Sequence, residues 1–221
     1  GPYPGEDGQK DRENHPDEGF LDGFIRRSRE RCGAIQSAAT SPILDKLLPD
    51  PTQGPNQPRL TLVINLDYTL IHSAWTKEHG WRIAKRPGVD QFLSKLSQHY
   101  ELVIFTTQTS SNAERILEKL DPQHQVRYLL DRDSTRLVNG KYVKDLSYLN
   151  RDLSNVIIMD SNPESHSLQP ENAIAMEPWE GDPNDTRLMA MIPILEAMAT
   201  SDESDVRVLL AKYQGRITSQ A

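Results

Sequence analysis

The run "LTLVINLDYTL" carries Asn65, Asp67 and Thr69 at the end of a mostly apolar stretch. Two further stretches end in the same way. "YELVIFTT" ends in Thr106 and Thr107, and "NVIIMDS" ends in Asp160 and Ser161. Two carboxylates, several hydroxyls and one carboxamide thus fall at the ends of three strand-like segments. In an open α/β sheet, ligands bind at the carboxyl ends of the strands. Any one of these sets could belong to an ordinary structural loop. Their coincidence at three strand ends marks a candidate site.

The elements that must position them read clearly. Residues 60–66 predict a first strand, and "GWRIAKRPG" predicts half of a hairpin. Pro87-Gly88 opens a helix with Val89, Phe92, Leu93 and Leu96 on one face. Residues 100–106 predict a strand, and "SSNAERILEKLD" a helix capped by Ser or Asn. "QVRYLLD" is a third strand candidate, and "TRLVNGKYV" a hairpin turning on Asn139-Gly140. Residues 155–160 predict a further strand, and 185–199 and 205–213 predict helices. Strands alternating with helices imply a mainly parallel sheet flanked by helices. Ahead of it, Phe20, Leu21, Phe24, Ile25, Cys32 and Ile35 recur at helical spacing over 19–37, among Arg26, Arg27, Arg29 and Arg31. A proline-rich connector follows. The expected organisation is a polar leader at 1–18, helix and connector at 19–58, an α/β domain at 59–200, and a C-terminal helix and tail at 201–221.

Composition narrows the function classes. No apolar run approaches the ~18 residues that a membrane-spanning helix needs. The leader "GPYPGEDGQKDRENHPDEG" reads as disordered, and its opening Gly-Pro resembles the remnant of an expression tag. The sequence is therefore expected to be a fragment from which targeting signals were removed. A single cysteine, Cys32, excludes an internal disulfide. Net charge is −7, yet residues 159–205 carry eleven acids and one base, Arg187, a local −10 that leaves the rest at +3. Such a segment repels nucleic acid and anionic lipid and favours a basic partner. It serves equally well as a solubilising face.

Longer strings carry a resemblance. "LDYT", "RPGVDQFL", "YELVIFT", "YVKDLSYLNRDL" and "IIMDSNPESHSLQPENAIAMEPW" run in the order found in the small CTD-phosphatase branch of the haloacid-dehalogenase fold. "LLPDP", "HSAWTKEHGWRIAKRPGVD", "ENAIAMEPWEGD" and "DVRVLLAKY" narrow it. Over residues 40–214 the chain resembles the Tim fifty family, presequence-receptor subunits of the mitochondrial inner-membrane presequence translocase. The resemblance implies an α/β, haloacid-dehalogenase-like fold with inserted β-hairpins. It implies a domain facing the intermembrane space, with a membrane anchor outside this sequence. Its implied partners are presequence-bearing precursors and the channel and other translocase subunits, not nucleic acid.

Active phosphatases of the branch need an aspartate nucleophile, and Asn65 stands in its place. A carboxamide neither attacks phosphorus usefully nor offers the anionic oxygen that Mg²⁺ prefers. By resemblance, Asp67 matches the general acid/base and Thr69 the loop-orienting residue. Thr106 matches the phosphate-holding hydroxyl, and Lys144 the lysine that neutralises developing charge. Asp160 matches a metal-site carboxylate, beside which Ser161 replaces the usual Asp or Asn. A motif so altered implies no catalysis, no metal and no cofactor. The alternative is a residual protein Ser/Thr or Tyr phosphatase, and a weaker one a purely structural subunit.

A receptor for basic amphipathic helices needs adaptable apolar contacts bordered by acids. Leu146, Leu149 and Leu153, spaced i, i+3 and i+7 beside Asp145 and Asp152, are the expected presequence contacts, although leucines so spaced are also usual core residues. The five methionines, all within 159–205, are read as core before groove. Trp81, Arg82 and Lys85 crowd onto the short hairpin and, by resemblance, dock the channel subunit. Trp179 is expected to pack.

Overall fold

Five strands whose residues alternate strictly between two apolar faces form the centre of the molecule. The structure, a computed structural model, describes residues 46–51, 54, 57–78 and 80–220. The leader, the arginine-rich 19–37 segment and Cys32 lie outside the described residues.

The main sheet comprises β1 (Leu60–Ile64), β4 (Tyr100–Phe105), β5 (Tyr128–Leu130), β8 (Val156–Asp160) and β9 (Ala173–Ala175). Its order is β5-β4-β1-β8-β9, with every pairing parallel. Two antiparallel hairpins stand apart from it. One pairs β2 (Ile71–Thr76) with β3 (Gly80–Lys85), and the other pairs β6 (Arg136–Val138) with β7 (Lys141–Val143). The latter turns on Asn139 and Gly140, both at positive φ (50° and 78°), the backbone that a two-residue hairpin turn demands. Helices α1 (Val89–Leu96), α2 (Ser110–Leu120), α3 (Arg187–Ala199) and α4 (Val206–Gln220) and several short 3₁₀ turns complete the described elements. The expected architecture of a mainly parallel sheet, flanking helices and inserted hairpins is the observed one. Helix α2 differs in its cap, which is Thr109 without a side-chain bond. None of the described helices is long and apolar enough to cross a membrane.

Side-chain alternation divides the core. Leu62, Ile64, Leu102, Ile104, Ile157 and Met159 face α1, α3 and α4, where Phe92, Leu195, Met198 and Leu209 meet them. Val63, Val103, Phe105, Val156 and Ile158 face the other way. A parallel sheet needs cover on both faces. No helix among the described residues covers this second face. Leu47, Leu48, Leu146 and Leu149 do so instead. Met159, Met176, Met191 and Met198 are all buried, as the core reading of the methionines requires. Helix α4 runs well past the expected 213 and sends Val206, Leu209, Leu210 and Ile217 into the first cluster, so it is integral to the domain rather than a separate tail.

Candidate functional site

The carboxyl ends of β1, β4 and β8 converge as their sequence endings suggest. Together with the end of β7 they enclose a cavity of about 470 Å³. Asn65, Asp67, Lys144, Asp160 and Ser161 line it, joined by Tyr68, Ser73, Gln108, Arg132 and Ser165. Thr69 and Thr106 sit fully buried behind this lining.

The cavity floor is built around a buried ammonium. Lys144, which follows directly on β7, donates to Asn65 Oδ1 at 2.7 Å and to Asp160 Oδ2 at 2.6 Å. Its side chain is 1% exposed. Burial pushes the Lys144 ammonium below its ordinary pKa, and the Asp160 charge pulls the other way. The Asn65 carboxamide is used at both ends. Its nitrogen donates to the carbonyl of Asp67 at 2.7 Å and to Thr69 Oγ1 at 3.1 Å. Asp160 also accepts the Ser165 hydroxyl on Oδ2 and the Asn162 N–H on Oδ1 at 2.8 Å. On the wall, Asp67 accepts from Gln108 Nε2 at 2.9 Å and from Thr106 Oγ1 at 3.3 Å. Ser161 meets Thr69 through hydroxyl and amide, each at 3.2 Å.

These donors do not fit a hard dication. Mg²⁺ calls for a near-octahedral shell of oxygens that includes carboxylate. Here the Asn65 and Asp160 oxygens face Lys144, and the Asp67 carbonyl faces an N–H. Among the described residues, no group of three or more His, Cys, Asp or Glu could hold a metal.

A second buried ion pair supports the loop from below. Arg86, immediately after β3, donates from Nε and Nη2 to the two oxygens of Asp185 at 2.9 and 3.0 Å, and from Nη1 to the carbonyl of Thr69 at 3.1 Å. Burial works against ionisation of Asp185, but bonds from Arg86 and Arg187 hold its pKa below the usual carboxylate range. Arg86 and Gln108 were not singled out from the sequence. Arg86 lies inside "GWRIAKRPG" and Gln108 follows closely on "YELVIFT", and that placement was the available signal.

The fold places the expected presequence contacts partly in the core and partly at its edge. Residues 145–153 form no continuous helix but two 3₁₀ turns, Leu146–Tyr148 and Leu153–Asn155. Leu146 and Leu149 are both 0% exposed, because they cover the second face of the sheet. Leu153 packs partly buried beside them. Asp145 is also buried; burial disfavours its charge, yet bonds from Ser147, Gln169 and Arg136 outweigh this and hold its pKa low. Asp152 stays exposed and caps the second turn by accepting from Ser154 N.

The exposed apolar side chains lie elsewhere. Tyr68 (46% exposed), Trp75 (56%) and Ile83 (47%) gather at the cavity mouth and on the β2–β3 hairpin. Ser73 pairs with Ile83, and Trp75 lies two residues along, so these three share one hairpin face, and Ser73 lines the cavity. Tyr68 sits at φ 59°, a costly backbone for a bulky residue. Its N–H donates to the Ile71 carbonyl and its carbonyl accepts from Trp179 N, each at 2.7 Å. Trp179 is buried, as expected, and its ring meets His72 edge-on at 6.3 Å. This packing brings the exposed acids Glu177, Glu180 and Asp182 alongside. Arg82 is exposed on β3, and Lys85 is shared between Asp90 and the Leu120 carbonyl. The Trp81 side chain lies outside the described residues.

A family model described as NLI interacting factor-like phosphatase matches residues 60–207. The chain is similar to the mitochondrial import inner membrane translocase subunit tim50 of Emericella nidulans, 48% identical over 205 residues, covering 91% of this chain and 38% of that protein. It is 43% identical over 213 residues to the TIM50 subunit of Yarrowia lipolytica, covering 95% and 46% respectively. The chain therefore spans less than half the length of these relatives. Among solved structures, the RNA polymerase II CTD phosphatase Fcp1 aligns with 22% identity over 73% of this chain and 49% of that one, at a TM-score of 0.46.

Proposed function

Because this chain belongs to the NLI interacting factor-like phosphatase family and is similar over most of its length to import translocase subunits, we propose that it is a non-catalytic presequence receptor of the mitochondrial inner-membrane translocase, facing the intermembrane space. The β2–β3 hairpin would dock the channel subunit through Arg82, Lys85 and Trp81. Precursor chains would bind beside it and pass onward.

One observation carries this reading. Exposed Tyr68 packs by His72 and Trp179, next to the exposed acids Glu177, Glu180 and Asp182, and the hairpin that carries His72 exposes Trp75 and Ile83 on its other face. A basic amphipathic helix presents the complement, an apolar stripe flanked by Lys and Arg. The reading also accommodates Asn65, since a client-binding site needs no nucleophile. Binding in the micromolar range, about −8 kcal/mol, suits a receptor that must release its client.

Fluorescence anisotropy with a labelled basic amphipathic peptide tests this reading. Tyr68→Ser with Trp75→Ser should weaken binding at every salt concentration. Neutralising Glu177, Glu180 and Asp182 should weaken it mainly at low salt, where exposed charges are least screened. Equal binding of a peptide with intact charges but a scrambled apolar face would defeat the reading.

A further inference from the structure

We propose that Lys144 is the permanent cation of this cavity's floor. Its ammonium takes the charge-balancing place between the ends of β1 and β8, and Asn65 is the residue fitted to it. The cavity is then a metal-independent fixture rather than a metal site that has decayed.

The bond pattern carries the inference. The Asn65 amide oxygen accepts from Lys144, while its amide nitrogen donates to the Asp67 carbonyl and Thr69 Oγ1. A carboxylate at this position would set an acceptor against the Asp67 carbonyl at 2.7 Å, where a donor now stands. Asn65 is thus required by two neighbours as well as by the lysine. Charge agrees. Asp160 and Lys144 cancel on the floor, and on the wall Asp67 is held by Thr106 and Gln108 in a cavity that Arg132 also lines. With a carboxylate at 65, three negative groups would outnumber the two cations that line the cavity, Lys144 and Arg132, and an added cation would be favoured. With the amide, the oxygens that could bind such an ion already have hydrogen-bond partners.

The residue also has a mechanical use. The backbone N–H of Lys144 donates to the Ser165 carbonyl at 2.7 Å, its ammonium to Asp160, and the Ser165 hydroxyl also joins Asp160. The β6–β7 hairpin and the loop after β8 are therefore fastened to the sheet through one point. The cavity should keep its shape whatever the divalent-ion concentration.

Thermal melting of the 221-residue chain in EDTA, Mg²⁺ or Mn²⁺, with the Mn²⁺ paramagnetic resonance signal, tests this. The wild type should melt at one temperature in all three and leave the Mn²⁺ signal that of the free ion. Lys144→Met should melt about 6–20 °C lower in EDTA, as a broken buried pair predicts, and should regain part of that loss with Mn²⁺. Asn65→Asp should melt lower in EDTA and recover with Mg²⁺. It keeps the lysine and so tests the idea even if Lys144→Met fails to fold. A wild-type Tm that rises with Mg²⁺, a bound Mn²⁺ signal from the wild type, or an Asn65→Asp Tm equal to wild type in EDTA would overturn the proposal. None of these melts depends on peptide binding, so the receptor reading stands or falls separately.

Discussion

Replacing Leu149 by alanine separates a core role from a client-contact role by numbers that do not overlap. Leu149 is fully buried among residues that cover the second face of the sheet. A buried Leu→Ala change loses transfer free energy and leaves a cavity, at a cost of about 2–5 kcal/mol. Taking about 3 kcal/mol, and about 2–4 °C of melting temperature per kcal/mol for a domain of this size, Tm should fall by about 6–12 °C. A domain with a typical ~5–15 kcal/mol of stability would still be folded at room temperature. Peptide affinity measured there should be unchanged, because the side chain has no exposed surface to offer. Leu149→Met keeps most of the volume and should cost less than about 1.5 kcal/mol. Differential scanning calorimetry and anisotropy on the same preparations give both quantities. A Leu149→Ala protein that melts like wild type but loses peptide binding would refute the burial argument and restore the surface reading.

Asp185→Asn should cost about 3–5 kcal/mol at neutral pH by leaving Arg86 buried without its counter-charge, read as a drop in the urea midpoint. The depressed pKa of Asp185 contributes stability above the unfolded value near ~4, lost as pH falls through the folded value, so the variant's stability should fall less steeply than wild type's below ~pH 4. The purified chain with Mg²⁺ should turn over an aryl phosphate no faster than buffer, and turnover that disappears in Asp67→Ala would contradict this. Arg82→Glu should weaken capture of the channel subunit in a pull-down while shifting stability by less than about 0.5 kcal/mol, as expected for an exposed charge.

The sheet was legible because its alternation is strict. β1, β4 and β8 each place alternate residues on opposite faces, and each ends in the polar group that the sequence advertised. The candidate site followed from those three endings. Leu146 and Leu149, expected as contacts alongside Leu153, are fully buried for a definite reason. Their spacing fits one helical face, but the segment folds as two short turns, and the second face of a parallel sheet must be covered by something. Periodicity cannot tell a leucine row facing outward from one facing a sheet. The acids were half-legible. Net charge located the segment, yet Asp160 and Asp185 are consumed by buried cations, which only the fold brings near. Tyr68 stood in the open within "NLDYTL", but it sits at a positive φ held by a bond to nearby Ile71 and by one from Trp179, which only the fold brings near.

The segment just ahead of β1 has a mechanical consequence. Leu47 N–H donates to the Tyr148 carbonyl at 2.9 Å, Asn150 Nδ2 to the Leu48 carbonyl at 3.1 Å, and Arg151 Nη1 to the Pro49 carbonyl at 2.8 Å. Tension on the chain before residue 46 would load this stitching first, and β1 only after it gave way. β1 itself lies between parallel β4 and β8, so the same pull would shear two ladders at once instead of peeling one bond at a time. The stitching is the weaker link, at about 1 kcal/mol net per bond. It could open and reseal under load while the sheet, and with it the cavity at the opposite strand ends, stayed intact.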